Sequence, residues 1–88
     1  MANIRNLKKD INYVLGDIIG AVSEWQHQNP DKDLKKSEKI IDEVIDTFDD
    51  LIAKVNAKNI ENKKQHFKAI GAELEEKGRK LIDKLNAL

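Results

Sequence analysis

The chain contains no cysteine, which excludes disulfides, thiolate-held metals and cysteine nucleophiles. It has one proline, four glycines and only 5% aromatic residues, a composition poor in turn formers and typical of helical proteins. Neither charge sign dominates. Sixteen Lys and Arg balance sixteen Asp and Glu, whereas nucleic-acid binding normally rests on a basic surplus that neutralises phosphate. No nucleic-acid partner is therefore expected. Long apolar runs are missing too: the uncharged stretch Ile18 to Ser23 falls far short of the roughly 20 residues of a spanning helix. Met1 to Lys9 lacks the continuous apolar run of a signal peptide, so the expectation is a cytoplasmic protein without a membrane partner. With no glycine-rich loop, no strand pattern and only Ser23 and Ser37 as serines, phosphate loops, dinucleotide folds and serine triads have no support.

What is present is helical periodicity. The 88 residues are 40% hydrophobic and 36% charged, too apolar and too regular for disorder, and enough for one domain spanning residues 1–88. Ile4, Leu7, Ile11, Val14, Ile18, Val22 and Trp25 recur at steps of three and four, with Leu15 and Ile19 alongside. They predict a helix over about 3–28, capped by Asn3 and ended by Pro30, which disfavours helical geometry at Asn29. Leu34, Ile41, Val44, Ile45, Phe48, Leu51, Ile52 and Val55 predict a second helix over about 33–56, with Asp33 as N-cap and Ser37 as a later alternative start. Asparagines in Asn56-Ala57-Lys58-Asn59 mark the next break. A third stripe, Ile60, Phe67, Leu74, Leu81 and Leu88, with Ile70, Ile82 and Leu85 beside it, predicts a helix over about 59–87.

Three such segments with short connections predict an all-α fold, an antiparallel three-helix bundle in which the third helix runs parallel to the first. Gly71 and Gly78 fall on the core-facing side of the third helix. They are expected to act as sockets for large rings, with Trp25 level with Gly78 and Leu81, and Phe48 meeting Phe67 and Gly71. Residues 31–58 hold six Lys against eight acids, and residues 59–88 seven Lys or Arg against five acids. These opposite signs favour pairing of the second and third helices. The acidic series Asp42, Glu43, Asp46, Asp49 and Asp50 reads as a solvated face. Lys63 and Lys77, projecting toward the apolar side, read as snorkelling lysines.

Chemical motifs are few. Glu24-Trp25-Gln26-His27 supplies one Glu-x-x-His, but a helical di-iron site needs two, and the residue three before His66 is Lys63. No metal, cofactor or catalytic residue is expected, and the chain reads as a non-enzyme. Arg5, Lys8 and Lys9 lack the recognition helix or stacking aromatics that would point to phosphate or anionic lipid. One surface resists explanation as plain bundle. Gly16 and Gly20 lie opposite the apolar stripe of the first helix, with Lys9, Tyr13 and His27, where alanine would be a better helix former. The two glycines are either tolerated drift on a helix already held by its core side or part of a second contact surface. For that surface Lys9, Tyr13, Gly16 and Gly20 are the candidate interaction face, serving self-association or another protein. The alternative is a small-molecule-binding bundle with Trp25, Phe48 and Phe67 around an internal pocket.

The opening run Ile4-Arg5-Asn6-Leu7-Lys8-Lys9-Asp10-Ile11-Asn12-Tyr13 resembles the N-terminus of a family of short, uncharacterised helical proteins from Bacteroidetes bacteria. The resemblance is specific over ten to fifteen residues and implies an intracellular bacterial protein of unassigned function. It supplies no site residues.

Overall fold

A computed structural model describes residues 4–88. It contains three helices, α1 (Ile4–Gln28), α2 (Lys35–Val55) and α3 (Lys63–Asn86), each in contact with the other two. They form an elongated all-α bundle of 51 × 19 × 17 Å. The proposed cap Asn3 lies outside the described residues.

The break at Pro30 forms as expected. The amide N–H and the side-chain Nδ2 of Asn29 both donate to the Trp25 carbonyl, at 3.0 and 2.9 Å. This closes α1 before the proline removes a donor. At the start of α2 the N-cap position is Leu34 rather than Asp33, and Leu34 offers no capping oxygen. Asp33 still contributes, because its Oδ1 accepts from the Lys35 amide at 3.0 Å and satisfies one of the helix's free donors.

The second break differs from the expectation. α2 ends at Val55 with Asn56 as its C-cap, but α3 begins only at Lys63. Asn59 holds a left-handed φ of 62°, a conformation that asparagine tolerates better than most residues. Asn62 is the N-cap: its Oδ1 accepts from the Gln65 amide at 3.1 Å. Asn62 and Gln65 have the spacing of a capping box. Ile60, assigned by periodicity to the third helix, lies in the connector. His66 ties this end together, its Nε2 donating to the Lys54 carbonyl at 2.7 Å and so engaging one of the last carbonyls of α2.

The core combines Leu7, Ile11, Leu15, Ile18 and Val22 with Ile40, Val44, Leu51, Val55, Ile70, Leu74 and Leu81. α2 is rotated by about one residue from its expected stripe: Ile40 is buried and Ile45 is 47% exposed. The apolar arc of α2 is wider than the groove that receives it. Its centre is buried, and Ile41, Ile45, Phe48 and Ile52 fall on the flank beside α1. Ile4 and Ile82 are likewise exposed, at the start of α1 and on the α1-facing edge of α3.

Polar contacts fix the register. Lys54 faces Glu73, Asp50 faces Lys77 and Glu43 faces Lys84. Each step back along α2 is matched by an equal step forward along α3, the signature of an antiparallel pair. Between α1 and α2, Gln26 Nε2 donates to the fully buried Ser37 Oγ at 2.8 Å. Both α1 and α3 run antiparallel to α2 and so parallel to each other, and Gly78 stands against Val14, which sets them at equal height there.

Candidate interaction surface

The proposed ring sockets do not form. A β-carbon on Gly78 would lie 3.2 Å from Val14 Cγ1, and one on Gly71 would meet nothing within 4 Å. Trp25 is eleven residues beyond Val14, about 16 Å farther along the helix at 1.5 Å per residue, so it is not level with Gly78. The lengthened 56–62 connector shifts α3 along the bundle and sets this register. Gly78 therefore accommodates a valine, while Gly71 opens the surface.

The internal aromatic pocket is not assembled either. Phe48 lines a shallow groove of about 250 Å³ with Asn12, Leu15, Gly16, Ile19, Val44 and Ile45. Phe67 lines a different depression at the C-terminal end of α2, beside Ile4, Val55 and Ile60. Trp25 lies near the end of α1 with its ring half-buried. The three rings are spread along the length of the bundle.

Lys9, Tyr13, Gly16 and Gly20 are all exposed, as helical projection predicts. Neither Gly16 nor Gly20 would bring an added β-carbon within 4 Å of a neighbour. Lys9 Nζ sits 5.6 Å from the centroid of the Tyr13 ring, a cation–π arrangement that holds the ring across the helix surface. Two of the four border grooves, and not the same one. Gly16 borders the α1–α2 groove with Phe48 and Ile45, whereas Tyr13 walls the α1–α3 groove.

The α1–α3 groove has a volume of about 490 Å³ and is lined by Asp10, Tyr13, Val14, Gly71, Leu74, Glu75, Gly78, Arg79 and Ile82. Two helical glycines deepen its floor, and two exposed apolar side chains stand on its rims: Tyr13 at 60% and Ile82 at 44% exposure. Sequence reasoning placed both α3 glycines in the core, where Gly78 is indeed buried but Gly71 is only half-buried, and so missed this groove. The signal was present in the seven-residue spacing of Gly71 and Gly78, which keeps both on one edge of the helix.

Electrostatics are concentrated on the opposite side, between α2 and α3. Lys54 lies 2.7 Å from Glu73 and 3.1 Å from Asp50, and Lys77 bridges Asp50 at 3.2 Å and Glu73 at 3.7 Å. Hydrogen bonding to Lys54 and then Lys77 holds the Asp50 carboxyl below its ordinary range. Hydrogen bonding to Glu73 and then Asp50 raises the Lys54 ammonium. Lys77 thus snorkels as expected, its ammonium meeting carboxylates at the surface. Part of the acidic face of α2 serves helix pairing: Asp50 and Glu43 both bridge to α3.

Among the described residues, no three His, Asp or Glu side chains gather as a metal site. Glu24 and His27 are both exposed, and Glu24 accepts a hydrogen bond from Gln28 at 3.0 Å. No helix among these residues is long and apolar enough to cross a membrane. Comparison of the chain with family models, curated proteins and solved structures finds no match.

Proposed function

We propose that this chain is a non-enzymatic protein-interaction module that associates through the outer side of α1, with a second copy of itself as the simplest partner. The observation that carries this reading is the pair Gly16 and Gly20. Both sit in open space on a helix surface, where each costs about 0.5–1 kcal/mol relative to alanine. A contact in which another backbone approaches α1 closely accounts for that expense. Beside them, Tyr13 is exposed and its ring is steadied by Lys9; tyrosine contributes large contact area at low entropic cost. The bacterial, intracellular setting implied by the opening run belongs to the same proposal.

Sedimentation velocity from micromolar to millimolar concentration tests it, on the native chain and on a Gly16→Leu/Gly20→Leu variant. Open space at both positions allows the variant to fold, which helical circular dichroism checks. The native chain is expected to self-associate and the folded variant to remain monomeric. Equal association of the two overturns the assignment to this face, and a strictly monomeric native chain overturns self-association.

A further inference from the structure

We infer that the partner is a second copy arranged in parallel, with its two-fold axis along the bundle, so that α1 of each copy lies in the α1–α3 groove against α3 of the other. This rests on the self-association reading above and places the contact on the Tyr13 side of the outer face of α1, with Gly20 beside it and Gly16 on the margin toward α2.

The argument begins with height. Val14 and Gly78 are opposite each other in one chain, and α1 and α3 run in the same direction. A two-fold axis parallel to the helices leaves every height unchanged. It therefore brings Tyr13 of one copy to the level of Gly78 on the other, at the part of the groove bounded by Val14, Gly78 and Ile82. Tyr13 and Ile82, both exposed in the single chain, become covered together. One patch then supplies both the projecting ring and its receptor, as an isologous interface requires.

Charge selects this arrangement over the other two-fold. Asp10 lines the α1 rim of the groove, and Asp17 and Glu24 follow at seven-residue steps on the same edge. Arg79 lines the α3 rim, and Lys68, eleven residues earlier, shares its edge. Among the described residues, ion pairs cross from α2 to α3 but none crosses from α1 to α3. Arg79 is one residue above Gly78, so its height falls between those of Asp10 and Asp17. In the parallel dimer it meets these acids on the other copy. Glu75, also on the α3 rim, is already held by Arg79 at 3.5 Å. An axis perpendicular to the helices instead lays α1 on α1 and α3 on α3, setting acids against acids and bases against bases, which is unfavourable.

The test is a charge swap read by sedimentation equilibrium on the full chain. Arg79→Glu and Asp17→Arg are each expected to weaken the dimer by about tenfold, and the Arg79→Glu/Asp17→Arg double variant to restore most of that loss. Circular dichroism confirms folding of all three. Spin labels attached at Gln28→Cys give orientation. A parallel dimer places both labels at the same end, whereas an antiparallel one centred on the groove separates them by about 40 Å. A dimer insensitive to the swaps, or one with the long label distance, overturns this geometry. If that dimer is nevertheless lost in the Gly16→Leu/Gly20→Leu variant, the proposed function stands without it. A monomer throughout overturns both.

Discussion

Val14 Cγ1 would lie only 3.2 Å from a β-carbon placed on Gly78, whereas Gly16, Gly20 and Gly71 have open space in that direction. The four glycines should therefore respond differently to alanine. At Gly16, Gly20 and Gly71 the substitution removes the backbone-entropy cost of glycine without a clash. Each is expected to stabilise the fold by about 0.5–1 kcal/mol. At Gly78 the same gain is offset by crowding against a β-branched neighbour with little χ1 freedom, so Gly78→Ala should be near neutral. Gly78→Leu drives further atoms into Val14 and should cost about 1–3 kcal/mol. Urea unfolding followed by circular dichroism measures all five variants. Equal stabilisation by alanine at all four glycines would refute the close approach at Val14.

The contrast shows what the sequence carried and what it withheld. Period and composition specify three helices, because Leu7, Ile11, Leu15, Ile18 and Val22 can share burial only on one helical stripe. Pro30 marks the first connection through its own covalent geometry. The second connection has no such residue, and Asn56, Asn59 and Asn62 compete for capping roles. Their assignment as C-cap, left-handed residue and N-cap depends on where α3 docks. Heights across the bundle follow from that choice, so Trp25 and Gly78 were paired from a connector too short by several residues. The outer position of Gly16 and Gly20 was legible, since it follows from helical projection alone. The α1–α3 groove was not, because it depends on the height at which Gly78 meets Val14.

Acid–base behaviour should isolate the α2–α3 network. Hydrogen bonds from Lys54 and then Lys77 lower the folded-state pKa of Asp50 from its ordinary 3.8. Its contribution is therefore present above that value and lost as pH falls through the lower folded one. Hydrogen bonding to Glu73 and Asp50 raises Lys54 above its ordinary 10.5. That contribution is complete below 10.5 and disappears as pH climbs through the folded value. Between these limits Asp50→Asn and Lys54→Met should each be less stable than the native chain, and the gap should narrow in high salt because both side chains are exposed. The Asp50→Asn gap should close only in strong acid and the Lys54→Met gap only in strong base. Urea midpoints across pH measure both, and a gap that persists unchanged through either limit would contradict the network.

Ser37 is the polar counterpart of these apolar tests. It is fully buried in the α1–α2 interface, donating to the Leu34 carbonyl at 2.8 Å while accepting from Gln26 Nε2 at the same distance. The hydroxyl closes the first turn of α2 and pins the end of α1 to it. Ser37→Ala deletes both bonds and strands the Gln26 amide, which is only half-buried and regains some water. The expected loss is about 1–2 kcal/mol, a fall of about 4–16 °C in Tm for a domain of this size. Replacing Gln26 as well should cost little more, since the two side chains satisfy one another and a double-mutant cycle isolates their shared term. Additive losses from Ser37→Ala and Gln26→Leu would show that the hydrogen bond across α1 and α2 carries no coupling, leaving the buried hydroxyl to act through the Leu34 carbonyl alone.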